Sequence, residues 1–431
     1  MGKRLASRDV QQQVAIVGAG YVGLPLAVAF AEAGARAVCI EPDAERVAQL
    51  QAGRSYISDV SNETLGALVR SGHLVATTDP AVIADCDDVL ICVPTPLSEN
   101  REPDLTHVVA ATGDIANHLR EGHLVVLEST TYPGTTRERL QPILERVSGL
   151  RAGIDFHLAM SPERIDPGRT DQSVRSMPKV IGGLTPACTE RAERLYGIVV
   201  DRTVPVSTPE AAELTKLLEN IFRSVNIALV NELAMLCDRM GIDVWEVIEA
   251  AATKPFGFMS FKPGPGLGGH CIPLDPFYLS WKAREVDFYT EFIELAGKVN
   301  ENMPRFCALK VQRALNDHSR SVRGSRILIL GVAYKADIDD TRESPALKLI
   351  ELLQGDGALV SYHDPHVPHL PELQLSSVAL EAALEHADCT VVATAHSTLD
   401  YTDVVERSRL VVDLRNATRG QTPAEGKVVK L

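Results

Sequence analysis

The stretch QVAIVGAGYVGLPLAVAFAEAGARAVCIEPD, residues 13–43, decides the fold class. It opens with the short apolar run 14–17, which is typical of a buried parallel strand. Three glycines follow in G-x-G-x-x-G spacing, namely Gly18, Gly20 and Gly23. We expect an alanine-rich helix next, ended by Gly34, and then a second strand over 37–40. The stretch therefore predicts a strand, a glycine turn, a helix and a strand, as in a dinucleotide-binding α/β domain.

An acidic residue, Glu41, ends the second predicted strand. Glycines in this context let the backbone approach a pyrophosphate at the positive end of a helix. The carboxylate would accept hydrogen bonds from ribose hydroxyls and would repel a 2′-phosphate, so the pattern favours NAD over NADP. The alternative is a tight turn without a ligand. We expect the cofactor to contact the turn and this acid: Gly18, Gly20, Tyr21, Val22, Gly23 and Glu41.

The C-terminal part of the chain repeats this plan. SRILILGVAYK (325–335) matches the first strand and its turn, and ALVSYHDP (358–365) matches the second strand with its terminal acid. HADCTVVATAH (386–396) and RLVVDLRN (409–416) match two later strands of the first copy. The second copy lacks the three-glycine fingerprint but keeps the crevice where such sheets bind ligands. A nucleotide is the natural ligand for it.

Between the two copies, residues 209–252 carry apolar residues at helical spacing. We predict one long helix there, either buried between domains or paired with its twin in a dimer, and a further helical segment over 287–316. The predicted fold class is α/β, with two Rossmann-like doubly wound domains joined by a long central helix or helical domain. The expected domains are 1–205, 206–318 and 319–431.

The loop GPGLGGHCIPLDP, residues 264–276, holds the thiol of Cys271 after His270. Its glycines and prolines exclude a helix or an ordinary strand. A buried structural cysteine is one interpretation. The other is a nucleophile, because a thiolate beside a nicotinamide can attack an aldehyde and form a thioester after hydride loss.

Such chemistry needs an oxyanion stabiliser and a group that handles water. Lys216 and Asn220 stand four residues apart on the predicted helix and share one face; a solvated helix surface is the alternative. SPERIDPG (161–168) offers Glu163, or else is a surface turn with a capping serine. Asp275 follows the thiol by four residues, and would otherwise cap a helix.

Composition limits the other classes of function. The chain has 431 residues, 43 basic and 57 acidic, with a net charge of −14. A uniformly acidic chain is a poor nucleic-acid binder, because phosphate contacts need clustered basic residues. No stretch is apolar enough for a membrane helix. The eight cysteines are scattered, which predicts a reducing cytoplasm and neither a disulfide frame nor a metal site.

Several motifs together resemble the nucleotide-sugar dehydrogenases of the UDP-glucose/GDP-mannose dehydrogenase family. They are GAGYVG, VPTP (93–96), ESTTYPGTT (128–136), SPER, ELTKLLEN (213–220), the glycine loop, and YKADIDDTRESP (334–345). The resemblance covers nearly the whole chain, in order. It implies a two-NAD, four-electron oxidation of a sugar CH2OH to a carboxylate, and a homodimer formed by the central helices.

The resemblance also implies roles for particular residues. Cys271 would be the nucleophile, and Lys216 and Asn220 would stabilise oxyanions and contact the sugar. Glu163, Asp275 and Thr131 would manage water and protons. Gly268, His270 and Lys335 would bind the sugar nucleotide, and Thr95 and Arg342 the cofactor.

The motif GGHCIPLDPFYLSW is similar to the corresponding motif of the UDP-N-acetylglucosamine 6-dehydrogenases, whereas UDP-glucose and GDP-mannose enzymes have Gly-Gly-Ser-Cys at this position. The role of His270 stays open between pocket shaping and packing. UDP-N-acetylmannosamine and UDP-glucose remain alternative substrates. Two other classes also stay open: a sugar-nucleotide or NAD sensor without catalysis, and a hydroxyacid dehydrogenase of the 6-phosphogluconate type.

Overall fold

The computed structural model describes residues 12–57, 59–98, 102–164, 173–269, 272–422 and 424–431. The chain divides into two compact units, residues 1–218 and 219–431. The boundary falls inside a helix that belongs to both. The three-domain division expected above remains a prediction.

The first unit alternates strands and helices. Its elements are β1 (Gln13–Val17), α1 (Gly23–Glu32), β2 (Arg36–Ile40), α2 (Ala44–Gln51), α3 (Asn62–Ser71), β3 (Leu74–Thr77), β4 (Asp88–Ile91), α4 (Thr106–His118), β5 (Leu124–Leu127), α5 (Gln141–Ser148), β6 (His157–Met160), β7 (Lys179–Gly183), α6 (Pro186–Tyr196) and β8 (Thr203–Val206). A 3-10 turn over Pro80–Asp85 precedes β4, and a π-helical turn over Thr136–Leu140 precedes α5. Residues 13–43 thus form the strand, turn, helix and strand that the sequence predicts.

The strands of the first unit form one sheet in the order β3-β2-β1-β4-β5-β6-β7-β8. β1 to β6 run parallel, whereas β7 pairs antiparallel with β6. Both faces of the sheet are covered by apolar side chains, which explains why β4 and β5 are uninterrupted buried runs. Because β7 is reversed, its first residue lies at the edge where β4, β5 and β6 end.

Within the described residues, the central region contains four α-helices rather than the two that the sequence suggested. They are α7 (Pro209–Met240), α8 (Val244–Ala252), α9 (Asp275–Ala283) and α10 (Glu291–Asp317). The single helix expected over 209–252 is wrong, because Gly241 adopts a φ of 69°. The side chain of Asp243 then accepts from Trp245 N–H and caps α8. The expected segment 287–316 corresponds to α10, which contains Pro304.

The second unit ends in a smaller sheet. Its elements are β9 (Arg326–Leu330), α11 (Pro345–Gly355), β10 (Leu359–His363), β11 (His369–Leu370), β12 (Leu375–Ser376), α12 (Leu380–His386), β13 (Cys389–Val392), α13 (Tyr401–Arg407), β14 (Val411–Asp413) and β15 (Val428–Lys430). Five strands pair in parallel in the order β10-β9-β13-β14-β15, and β11 pairs with β12. The repeated α/β plan is confirmed.

The two turns that open the sheets are equivalent in detail. Gly18 N–H donates to Ile40 O at 2.8 Å, and Gly331 N–H donates to His363 O at 2.9 Å. Both glycines have positive φ, 94° and 77°. A Cβ on either would lie against a carbonyl oxygen that follows the neighbouring strand, Cys92 O at 2.7 Å or Thr394 O at 2.4 Å. Glycine is therefore required at both positions.

Within the described residues, no helix is both long enough and apolar enough to cross a bilayer. The seven described cysteines are all buried, and none of them forms a disulfide.

Candidate active site

The fingerprint glycines have different neighbours. A Cβ on Gly23 would lie 1.9 Å from Gly18 O, so this glycine is needed for the packing of α1 on the turn. A Cβ on Gly20 would meet no atom within 4 Å. Gly20 is thus not needed for packing, and the space beside it lies at the N-terminal end of α1. Backbone N–H groups and open space there fit a pyrophosphate.

Glu41 lies beside this turn. Its side chain is buried, and Oε2 accepts from Ala19 N–H at 3.1 Å. Arg46 lies 3.9 Å from its other oxygen, and the Tyr56 hydroxyl donates to Ala19 O at 2.8 Å. A carboxylate offers about four lone-pair directions, so these contacts are compatible with further bonds to ribose hydroxyls.

The other predicted cofactor residues of the first unit lie on the same edge of the sheet. Tyr21 is 40% exposed, and Val22 precedes the first residue of α1. Thr95 is buried in the segment that follows β4.

Glu163 belongs to a buried cluster of charged side chains. Lys179 Nζ donates to Glu163 Oε2 at 3.2 Å and to Glu128 Oε2 at 2.6 Å, and the Tyr196 hydroxyl donates to Glu128 Oε1. Burial opposes the charge of Lys179, yet Glu128 and Glu163 together raise its pKa above the ordinary value. Ser161 is buried and donates to Val180 O, and the described residues 161–164 form no helix for it to cap, so the interpretation of SPER as a surface turn is wrong.

Thr131 and Lys216, the remaining candidates of the first unit, are both buried. Among the described residues, the Thr131 hydroxyl has no hydrogen-bond partner, which suits a group that binds water. Lys216 lies on α7 and is 9% exposed, so it is not on a solvated helix surface.

One turn before Lys216, Glu213 binds the loop of the ESTTYPGTT motif. Its carboxylate accepts from Gly134 N–H at 2.6 Å, and from Thr136 N–H and Oγ1–H at 2.8 Å. Burial raises the pKa of Glu213 to about 7 although these donors oppose the shift. This contact was not predicted, because Gly134 and Thr136 are 79 and 77 residues away from Glu213 in the sequence.

In the second unit, Asn220 and Asp275 are buried and hydrogen-bonded to each other. Asn220 Nδ2 donates to Asp275 Oδ2 at 2.5 Å, and Arg223 donates to Asn220 Oδ1. Asp275 is the first residue of α9, with Leu274 before it, and does not cap the helix. The pairing of these two candidates was not predicted, because they are 55 residues apart.

The described part of the glycine loop packs against its own unit. A Cβ on Gly268 would lie 2.5 Å from Tyr334 Cβ and 2.9 Å from Glu343 O, and Gly269 N–H donates to Arg342 O at 3.0 Å. Gly268 and Gly269 are therefore needed for the close packing of the YKADIDDTRESP segment, and the contact of Gly268 with the sugar nucleotide stays a prediction. His270 and Cys271 lie outside the described residues.

The two candidates in that segment differ in surroundings. Arg342 is part-exposed, and its guanidinium binds the Asp340 carboxylate in a bidentate pair, with Nε at 2.9 and 3.0 Å. Lys335 is partly buried in the loop after β9.

The crevice of the second sheet has its own acid, Asp364, at the position that Glu41 occupies in the first. Its carboxylate accepts from four backbone N–H groups and from His396 Nε2. These donors lower the pKa of Asp364 to about 2 despite burial. Because five donors already surround it, Asp364 is a structural acid of this turn and not a ribose ligand.

Asp337, His366 and His396 bring possible metal-binding atoms within 4.8 Å of one another. Nδ1 of His396 accepts from Asp337 N–H at 3.0 Å, and Nε2 faces Asp364 at 3.0 Å. Both ring nitrogens of His396 are therefore engaged, which leaves it no lone pair for an ion.

Three family models match consecutive parts of the chain. They are the NAD binding domain (residues 12–200), the central domain (210–302) and the UDP binding domain (328–420) of the UDP-glucose/GDP-mannose dehydrogenase family.

Similar proteins cover almost the full length. The UDP-N-acetyl-D-mannosamine dehydrogenase of Pyrococcus horikoshii is 36% identical over 410 residues, or 94% of this chain and 95% of the relative. The UDP-N-acetyl-D-glucosamine 6-dehydrogenase of Pseudomonas aeruginosa is 36% identical over 388 residues, 89% of this chain and 90% of the relative.

Solved structures agree with these relatives. The UDP-D-ManNAc dehydrogenase structure from P. horikoshii has a TM-score of 0.89 at 34% identity and covers 97% of this chain and 99% of that one. A UDP-glucose dehydrogenase from Pyrobaculum islandicum has a TM-score of 0.86 at 28% identity, with 99% and 100% covered. The motifs, the NAD-binding turn and these matches lead to one assignment: the chain belongs to the UDP-glucose/GDP-mannose dehydrogenase family and is an NAD-dependent UDP-sugar dehydrogenase.

Proposed function

We propose that the protein oxidises the C6 hydroxymethyl of UDP-N-acetylglucosamine to a carboxylate, through a thiohemiacetal and a thioester on Cys271. The buried Asn220–Asp275 pair is the observation that carries this proposal, because it places an amide donor and a carboxylate at the start of the helix that follows the thiol. Non-enzymatic sensing is set aside by family membership.

The overall reaction converts RCH2OH, two NAD⁺ and water into RCOO⁻, two NADH and three protons. NAD is the hydride acceptor in both oxidations. The Cys271 thiolate adds to the aldehyde carbon, and the resulting thiohemiacetal loses a hydride to become a thioester. Lys216 and Asn220 donate to the oxygen that carries negative charge in each step.

Hydrolysis of the thioester needs an oriented water and an acceptor for its proton. We assign the orientation of this water to Thr131 and the acceptance of its proton to Glu163 or Asp275. Gly268, His270 and Lys335 are proposed contacts of the sugar nucleotide, and Thr95 and Arg342 of the cofactor. To bind a phosphate of the cofactor, Arg342 would have to give up its ion pair with Asp340.

The identity of the sugar is proposed from the sequence motif HCIPLDPFYLSW. A pocket for an acetamido group must pair its N–H and C=O, and a site built for such bonds discriminates strongly against a sugar that lacks them. The C2 epimer differs only in the direction of this group, so UDP-N-acetylmannosamine is the nearest competitor, and both sugars occur among the relatives' activities.

The deciding experiment measures kcat/KM and NADH per product for UDP-N-acetylglucosamine, UDP-N-acetylmannosamine, UDP-N-acetylgalactosamine and UDP-glucose. We expect two NADH per uronic acid and a preference for UDP-N-acetylglucosamine. A preference for the manno epimer would correct the sugar, a preference for UDP-glucose would overturn the N-acetyl assignment, and one NADH per product would overturn the four-electron reaction. The acid formed would serve as a precursor for surface polysaccharide.

We also propose a homodimer formed by the central helices. Large apolar side chains of this region are exposed on α7 and around the start of α10: Leu229, Leu236, Met240, Val286, Phe288, Tyr289, Phe292 and Leu295. Large apolar side chains exposed in this number favour an interaction site, and a second copy of the chain is the partner that the family resemblance implies.

A further inference from the structure

The Glu128–Lys179–Glu163 cluster has a charge imbalance that nothing in the mechanism above uses. Glu128 follows β5, Glu163 follows β6, and Lys179 begins β7. The three side chains are 0–10% exposed. Two carboxylates thus share one ammonium group, so the fully ionised cluster carries a net charge of −1 away from solvent.

Lys179 is the cation that bonds both carboxylates, and its buried neighbours Tyr196 and Cys92 add no charge. The Tyr196 hydroxyl donates to Glu128, and burial raises the Tyr196 pKa, which keeps it a neutral donor. Cys92 is equally buried and its thiol pKa is raised, so it adds no charge. Arg164 donates through Nη1 to Pro178 O, while its backbone N–H donates to Glu163 Oε1.

Lys179 is also fixed in place. Its ammonium lies 5.2 Å from the centre of the Tyr196 ring and bonds both carboxylates. It reaches them because β7 is antiparallel to β6, which brings the start of β7 to the edge where the other strands end. Removing one partner of a buried pair leaves an uncompensated charge.

We propose that Lys179 is a positioning residue that holds the Glu163 carboxylate oriented and ionised, and that Glu128 opposes it by competing for the same ammonium. The inference rests on the proposed function, with Glu163 rather than Asp275 as the group that accepts the proton from water. It assigns a function to two residues that belong to neither cofactor nor substrate binding.

The competition gives opposite effects for two substitutions. Lys179→Met removes the ammonium group that Glu163 shares with Glu128, so proton release from Glu163 becomes harder. Glu128→Gln keeps the hydrogen bonds of that side chain but gives Lys179 to Glu163 alone, so proton release becomes easier. A neighbouring charge at this distance shifts a carboxyl pKa by about 1–3 units. A purely structural role would give both variants the same direction of change.

The test measures the pH dependence of steady-state turnover and the pre-steady-state NADH burst, with the UDP-sugar that the wild type turns over best. Lys179→Met should keep a burst of NADH and move the acidic limb of kcat upward by about one pH unit or more. Glu128→Gln should move that limb downward, and Lys179→Arg should restore the wild-type position. The proposal is overturned if the acidic limb of kcat moves in the same direction in Lys179→Met and Glu128→Gln, or if it moves in neither variant.

A second measurement is independent of turnover. The Glu163 carboxyl is titrated by ¹³C NMR in glutamate-labelled protein and assigned by its loss in Glu163→Gln. Its pKa should rise in Lys179→Met and fall in Glu128→Gln; an unchanged value overturns the inference. If Lys179→Met does not fold, Lys179→Met/Glu128→Gln removes one charge of each sign, and its Glu163 pKa should still exceed that of Glu128→Gln alone.

Failure of the proposed function has a different signature. Glu163→Gln tests the proposed function without any change at Lys179. If this variant accumulates no sugar adduct on Cys271 and keeps the acidic limb of its kcat–pH profile, Glu163 is not the base that handles water. If Glu163→Gln does stall but the two neighbouring variants leave the limb in place, only the role of Lys179 is wrong.

Discussion

The space that a Cβ atom would occupy is open at Gly20, whereas at Gly18 and Gly23 it is filled by backbone atoms of the protein. A side chain at Gly23 would lie 1.9 Å from a backbone oxygen, whereas one at Gly20 would meet nothing within 4 Å. The three glycines of one motif are therefore present for different physical reasons. Only the first and third can be explained by the protein itself, so the second is explained by the approach of a ligand.

Gly20→Val should accordingly weaken NAD binding by at least about tenfold, a loss of 1.4 kcal/mol, while the melting temperature of the apoprotein changes little. The matched control is Gly23→Val, which should lower that melting temperature because the turn and α1 must move apart. Calorimetric titration with NAD and thermal unfolding of both variants check this. Unchanged NAD affinity in Gly20→Val would show that the cofactor does not lie against this residue.

The motif at residues 13–43 could be interpreted from sequence because each of its signals is local. Strand, turn and helix follow one another, and Glu41 ends the next strand, so one window contains the whole NAD-binding turn. Lys179 could not be found in this way. Its place beside Glu163 depends on the reversal of β7, and nothing in the sequence of 179–183 reports strand direction.

At the scale of elements, two buried polar contacts tie loops to α7. Glu213 holds the loop of Gly134 and Thr136, and Asn231 Oδ1 accepts from Gly264 N–H at 3.0 Å. The loops carry motif residues, and α7 supplies their fixed points. The sequence predicted α7 from its apolar periodicity, but that same periodicity hid the break at Gly241, where φ is positive and the helix ends.

Glu213 should make stability depend on pH. Its pKa is about 7 in the folded protein, raised above the ordinary 4.5 by burial. A raised pKa means that the folded state binds the proton more tightly, so this contribution is present below about pH 4.5 and is lost as pH rises towards 7. The amount is on the order of 3 kcal/mol.

Glu213→Gln should therefore flatten the fall in unfolding free energy between pH 5 and 7, measured by urea denaturation. Glu210→Gln is the control on the same helix: Glu210 pairs with Arg137 and its pKa is lowered, so its contribution changes at more acidic pH. An identical slope in Glu213→Gln and wild type would show that Glu213 does not titrate in this range.

A chain of buried amides connects α7, α10 and the glycine loop. Asn300 Nδ2 donates to Ser224 O at 3.1 Å, Asn231 Nδ2 donates to Asn300 Oδ1 at 2.9 Å, and Asn231 accepts from Gly264. Asn231→Ala would leave one donor and one acceptor buried and unpaired, each costing about 1–3 kcal/mol.

We expect Asn231→Ala to lower the urea midpoint and to raise the hydrogen exchange of residues 261–269. The control Asn226→Ala removes an amide that bonds Phe222 O of its own helix, and it should leave that loop unchanged. If exchange of the loop is the same in both variants, the amide chain does not hold the loop in place.

For the whole molecule, the repeated α/β plan shows how much of a fold a sequence can specify. The two opening turns use the same glycine, the same pair of backbone bonds and the same acid position. Their acids have nevertheless diverged: Glu41 accepts from the backbone N–H groups of Ala19 and Asp43, whereas Asp364 accepts from four backbone N–H groups and from His396. The strand pattern predicts both turns, but hydrogen-bond saturation depends on His396 and is visible only in three dimensions.

The apolar side chains exposed around the central helices belong to the proposed dimer interface. Phe292 is 78% exposed and Phe288 61%. Burying such side chains contributes roughly 1.5–3 kcal/mol each, so a dimer that covers them would be lost on charging one. Phe292→Glu should therefore be monomeric by sedimentation velocity at concentrations where the wild type is a dimer. Ile154→Glu is the control, because Ile154 is 68% exposed, belongs to the first unit and is not part of the central helices, so its substitution should leave the dimer intact. A wild-type monomer, or a Phe292→Glu dimer of unchanged affinity, would remove these helices from the proposed interface.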